Sequence, residues 1–238
     1  MKRSKRIAIL ALLLALTVIL SLIPLRVSSA TLALTLLPVF VLALTQDFVT
    51  GLLGGLVMGL TSLVMAFSLS AGSLTAPIFQ NPLVSVLPRL FVPAAVFAVM
   101  KGLSALFRAA LAKKKNAADK APSSEHPSEQ APAPDTLALN AENDAPEHTP
   151  EAHKTPSRPP LPRLAQALVD GIACLVGVLT NTGLVLGMMW ALYGGKSVGD
   201  TLISPEFMSA MLSVNFVIEA VVFPLITPPI AYAVRKVR

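Results

Sequence analysis

The residues best suited to chemistry in this chain are polar side chains set singly into apolar runs: Arg89, Asn181, Asn215 and Glu219, with Asn81 leading into the run that holds Arg89. Asn215 and Glu219 are four apart, so a helix places them on one face. Arg89 follows the pair Asn81-Pro82 by two turns, and Asn181 with Thr182 lies near the middle of its own run. A charge at the centre of a bilayer costs roughly 2.5–3.5 kcal/mol on insertion scales, so such residues face a protein interior or a watery cavity. Two readings fit them. They line a solute pocket, or Arg89 and Glu219 form a structural ion pair while the asparagines join helices. The readings are compatible, because an anionic or zwitterionic ligand can open a resting pair.

Other chemistries lack their residues. The three histidines (His126, His148 and His153) fall outside every apolar run, and no HExxH, paired carboxylates or Ser-His arrangement lies within one, so an enzyme is not expected. Gly194-Gly195-Lys196-Ser197 resembles the end of a phosphate-binding loop, but Trp190 stands where the motif needs its first glycine. The histidines are too irregularly spaced for a metal site. Cys174, the single cysteine, reads as a small packing residue rather than part of a disulfide or redox pair.

These side chains must be held by membrane spans. Hydrophobic residues make up 54% of the chain and charged ones 13%, more apolar than a soluble core of 238 residues can hide. Six runs stand out, at 7–25, 30–44, 48–69, 83–107, 164–192 and 207–234, and about 20 residues cross the ~30 Å hydrocarbon core. The expected fold is therefore an all-α integral membrane bundle of six helices. The second run is short. Thr45, Gln46 and Asp47 read as a tight turn with Asp47 as N-cap of the third helix; a re-entrant hairpin over 30–69 is the competing reading. Trp190, Tyr193 and Tyr232 sit at span ends, where aromatic belts form. Asp170 reads as interfacial.

Lysine and arginine cluster at the amino terminus (Lys2, Arg3, Lys5, Arg6), between runs four and five (Arg108, Lys113, Lys114, Lys115, Lys120, Lys154, Arg158, Arg163) and at the carboxyl terminus (Arg235, Lys236, Arg238). With six spans all three clusters fall on one side, which the positive-inside rule makes cytoplasmic. The net charge of +6 thus reads as topology rather than nucleic-acid binding. A cleaved signal sequence ending at Val27-Ser28-Ser29-Ala30 would leave five spans and spoil this symmetry. Residues 111–163, rich in Pro, Ala, Glu, Ser and Lys, read as a disordered cytoplasmic linker dividing helices 1–4 (1–110) from helices 5–6 (164–238).

Small residues mark close helix contacts. Gly51, Gly55 and Gly59, with Gly54 beside them, form a tandem GxxxG run that reads as internal packing. Ala8, Ala11 and Ala15 share one face of the first helix, which either lies inside the bundle or meets a partner.

Four of these segments resemble a known family. Asn81-Pro82-Leu83-Val84-Ser85-Val86-Leu87-Pro88-Arg89, Leu179-Thr180-Asn181-Thr182, Asn215-Phe216-Val217-Ile218-Glu219 and the Ala11/Ala15 face are similar, in order and depth, to those of S components of energy-coupling factor (ECF) transporters. The resemblance covers about 1–110 and 164–238 and leaves out the linker, which is longer than the family's usual loop. It implies a substrate-capture subunit in a bacterial-type plasma membrane. Such a subunit takes a vitamin or related micronutrient from outside, binds no cofactor itself, and relies on a transmembrane coupling protein and two ATPase subunits that use ATP. It further implies that Asn81, Arg89, Asn181, Asn215 and Glu219 line the pocket, and that Ala8, Ala11 and Ala15 face the coupling protein. A carboxylate for Arg89 and hydroxyl or amide groups for the others suit pantothenate. The scarcity of aromatics disfavours riboflavin or folate, and a hydroxymethylpyrimidine remains open. A stand-alone secondary transporter and a non-transporting scaffold are the alternatives.

Overall fold

The computed structural model describes residues 2–22, 25–27, 30–32, 34–68, 76–118, 161–199 and 201–237, with the side chains of 2–3, 25–32, 114–118 and 213–215 outside that description. The described chain is mostly helical. Five stretches are long and apolar enough to cross a membrane: Ser4–Leu22, Phe48–Phe67, Pro82–Lys113, Arg163–Tyr193 and Pro205–Val237. Their outer faces carry large apolar side chains such as Leu12, 68% exposed, together with Val64 and Leu225. An outer surface this apolar suits lipid rather than water. The protein is membrane-embedded.

Helix α1 (Lys2–Leu22) is followed by a two-stranded antiparallel hairpin, β1 (Leu25–Val27) and β2 (Ala30–Leu32), in which Arg26 faces Thr31. The expected helix over 30–44 is corrected here: α2 spans only Leu36–Thr45, about 15 Å and half a membrane crossing. Pro38 explains the late start. It has no amide to donate to Leu34, so the helix cannot extend back through that position, and Leu37 closes a tighter turn onto the Leu34 carbonyl instead. Nearly every residue of α2 is buried. The helix is apolar all round and is wrapped by α1, α3 (Phe48–Phe67), α6 (Leu87–Ala118) and α8 (Pro205–Val237).

Asp47 does hold the N-cap position of α3, with extended backbone, but its side chain makes no cap hydrogen bond. Its carboxylate accepts from Arg6 of α1. Two short helices follow, α4 (Ala76–Phe79) and α5 (Pro82–Ser85), then the long α6 (Leu87–Ala118). Helix α6 thus runs past the expected boundary at 110, and 119–160 of the expected linker lie outside the described residues. Helix α7 (Arg163–Tyr193), a small hairpin of β3 (Ser197–Val198) and β4 (Thr201–Leu202), and α8 (Pro205–Val237) complete the fold.

Prolines and glycines interlock. Pro93 has no amide for the Arg89 carbonyl, and a Cβ at Gly55 would collide with that oxygen. In the same way Pro228 leaves the Pro224 carbonyl without its helical donor, and this oxygen lies 3.4 Å from where a Gly171 Cβ would be. In both places a glycine lets the neighbouring helix approach a carbonyl that a proline has freed. Gly51, Gly54 and Gly59 likewise meet Ala43, Leu42 and Val86, so the tandem GxxxG run packs internally.

The ion pairs order the helix ends. Arg6 bonds to Asp47, and Arg235 bonds to both Asp170 and the Leu44 carbonyl. The start of α1, the α2–α3 junction, the start of α7 and the end of α8 therefore share one end of the bundle. Phe48 packs on Phe97 while Gly59 meets Val86, so α6 runs antiparallel to α3 and also finishes at that end. It is called the basic end below.

Candidate functional site

Two apolar clusters stack along the bundle axis. One, toward the basic end, contains Phe40, Val92, Val96, Ala173, Cys174, Val178 and Phe223. The other closes the opposite end with Ile78, Val84, Val185, Met189 and Ile203, backed by Phe79, Tyr193 and Met211. Along α5 and α6, Arg89 falls between Val84 of one cluster and Val92 of the other. Along α7, Asn181 falls between Val178 and Val185. Along α8, Glu219 falls beyond Met211 and just before Phe223. Gly177 abuts Val96, and Val185 packs with Val84, so Asn181 stands level with the turn of α6 that begins at Arg89. The three polar residues thus form one layer between two apolar ones.

Arg89 is held by the local break in the helix. Pro88 cannot donate an amide to the Val84 carbonyl, so helix α5 ends there. The Arg89 guanidinium supplies donors in its place: Nη1 donates to the Ser85 carbonyl at 2.7 Å and to the Val84 carbonyl at 3.3 Å. The guanidinium also lies 5.6 Å from the centroid of the Phe79 ring. Its Nε is shut away from solvent with no partner among the described residues. Glu219, 3% exposed, attracts Arg89 electrostatically across the α6–α8 gap. Asn181 is 8% exposed, and its Oδ1 finds no donor among the described residues. The layer therefore offers one unused cationic N–H and one unused carbonyl oxygen. Buried polar atoms nearly always find partners; among the described residues Gln46, Arg108 and Thr227 also carry side-chain atoms without one, but only Arg89 and Asn181 place theirs in this layer.

The remaining candidates are placed differently. Asn81 caps α5, its Oδ1 accepting the Leu83 amide, while its Nδ2 donates to the Tyr193 hydroxyl at 3.0 Å. It belongs to the apolar cap above the layer and is already engaged. Asn215 lies in α8 one turn from Glu219, but its side chain is outside the described residues. Ala8, Ala11 and Ala15 are all exposed, whereas Leu13 and Thr17 turn inward. The alanine face points out of the bundle. A groove of about 570 Å³ between α6 and α7, lined by Ala94, Ala95, Ala98, Thr180 and Gly183, opens on the apolar outer surface and includes none of the five candidate pocket residues. Lys196, in the loop that mimics a phosphate site, donates to the Leu192 carbonyl at the end of its own helix.

One feature escaped sequence reasoning. Asp170, expected at the interface, is 1% exposed and clamped by both terminal nitrogens of Arg235, with Gln166 donating to the same carboxylate at 2.9 Å. The only hint was an acid inside an apolar run, since its partner lies 65 residues away. Among the described residues no group of His, Cys, Asp and Glu is arranged to hold a metal ion. Compared with known proteins, the chain matches no family profile and no curated protein sequence.

Proposed function

We propose that this chain is the substrate-capturing S component of an ECF-type importer, binding a small anionic or zwitterionic micronutrient, with pantothenate-like ligands favoured. The observation that carries the proposal is the polar layer: Arg89, Asn181 and Glu219 come from three helices to one depth, and Arg89 and Asn181 hold unused hydrogen-bonding capacity among the described residues. A purely structural layer would be expected to satisfy its own groups. In this reading the ligand's anionic group takes the spare Arg89 donor, and a hydroxyl or amide donates to Asn181. Glu219 balances the charge when the pocket is empty, and Asn215 completes the α8 wall. The apolar cap of α4, α5 and β3–β4 covers the ligand, with Asn81 holding the cap through Tyr193. The basic end faces the cytoplasm of a bacterial-type cell, and the outward face with Ala8, Ala11 and Ala15 meets the coupling protein, whose two ATPases supply the energy.

The test is a thermal-shift screen of purified protein against a vitamin panel. A true ligand at 100 times its dissociation constant stabilises by about 2.7 kcal/mol, and Arg89→Ala removes that shift. If no panel member stabilises the protein, or if Arg89→Ala binds a carboxylate ligand as well as wild type, the pocket reading fails. Co-purification of a coupling protein with paired ATPases tests the subunit role separately. A stand-alone secondary transporter is the second reading, favoured by the three prolines, Pro224, Pro228 and Pro229, carried within the continuous helix α8. It requires uptake into vesicles driven by an ion gradient without any ATPase.

A further inference from the structure

We infer that the seam between the start of α7 and the end of α8 binds the phosphate of an anionic phospholipid. This inference stands apart from the transport reading and needs only that the protein sits in a bilayer. Arg163 is exposed and its guanidinium lies 5.7 Å from the centroid of the Tyr232 ring. Lys236, also exposed, follows Tyr232 by four residues and so shares its face of α8. Two cations thus flank one aromatic side chain of the kind that settles at the headgroup level. Both acids described at this end are consumed, Asp47 by Arg6 and Asp170 by Arg235. Neither Arg163 nor Lys236 has an ion-pair partner among the described residues.

Two further observations bear on the ligand, the first favouring an anion and the second a lipid. Pro162 stands at the N-cap of α7 with no side-chain cap bond, so the first-turn amides add partial positive charge beside Arg163. Immediately beyond the cations Leu164, 75% exposed, begins an apolar line through Leu168 and Ile172 at four-residue spacing on α7. A phosphate held by Arg163 and Lys236 would leave its acyl chains against that line, which a free phosphate has no means to use. Among the described side chains of the opposite end, Lys196 is turned back onto its own helix.

The test uses the full chain in neutral detergent, titrated with dioleoyl phosphatidylglycerol or dioleoyl phosphatidylcholine and read by native mass spectrometry and thermal shift. Each cation near an anionic surface contributes about fivefold in affinity, so phosphatidylglycerol should bind saturably and at least tenfold more tightly than phosphatidylcholine. Arg163→Gln with Lys236→Gln should reduce that preference below about twofold, on the same per-cation estimate. Lys196→Gln should leave it unchanged, and the charge-keeping pair Arg163→Lys with Lys236→Arg should retain most of it. Equal binding of the two lipids overturns the inference; it is also the outcome if the acidic stretch 119–160 of the same chain, with eight Asp and Glu against three Lys and Arg, occupies these cations instead. So does full competition by glycerol 3-phosphate, which would mark a simple anion site, or equal loss in the Gln and charge-keeping pairs, which would mark a packing role.

Discussion

Arg235 with Asp170 at the basic end and the layer of Arg89, Asn181 and Glu219 in the middle both set charged groups inside the bundle, yet they are built to different standards. At the basic end, both terminal nitrogens of Arg235 and both oxygens of Asp170 are engaged, and Gln166 and the Leu44 carbonyl fill out the set. In the middle layer, Arg89 spends one nitrogen on two backbone carbonyls, and among the described residues its Nε has no acceptor and the Asn181 amide oxygen level with it has no donor. A saturated network rigidifies, whereas an unsaturated one keeps an unfavourable term that a ligand can relieve. The difference separates a clamp from a receptor within a single helix bundle.

Substitution can break this contrast at several strengths. Asp170→Ala strands Arg235 and should cost the most, about 3–5 kcal/mol, the usual penalty for removing one member of a buried pair. Equilibrium unfolding in mild detergent would show it, and a loss near zero would mean that the clamp does not hold the basic end. Gly55→Ala comes next, at about 1–3 kcal/mol. Its new methyl meets the rigid Arg89 carbonyl, so ligand-induced stabilisation should fall along with the melting temperature. Gly183→Ala is the control, because a Cβ there meets nothing within 4 Å. Tyr193→Phe removes one hydrogen bond to Asn81 and should cost about 0.5–1.5 kcal/mol. Asn181→Leu should be the mildest for folding, because it deletes a buried oxygen that has no donor, yet it should abolish the ligand response. A variant that melted several degrees lower while still binding would reverse the roles assigned to the two regions.

Some of this contrast was legible in the residues alone. Counting from span ends puts Arg89, Asn181 and Glu219 at one depth, because helical rise is constant and apolar runs mark the membrane. The GxxxG run announced close packing for the same reason. The Asp170 clamp was hidden, since a contact across 65 residues leaves no local pattern. The break at Pro38 was visible as a residue but not as a boundary, because proline fits the first turn of a helix freely and further in costs a hydrogen bond that α6 and α8 nevertheless absorb. Whether the alanine face of α1 turned inward depended on how α1 rolls against α2 and α3, which no spacing within α1 determines. Asn81 illustrates the limit of depth counting. It lies near the right level, yet its side chain is committed to the cap.

The shortness of α2 bears on how the chain enters the bilayer. Ten residues are too few for insertion as an independent segment, and an apolar surface on all sides gains nothing distinctive from facing lipid. Helix α2 is covered by α1 and α3 and also by α6 and α8, which follow it in the chain. The enclosure of this early segment therefore depends on a late one, and losing α8 would uncover one side of a ten-residue apolar helix.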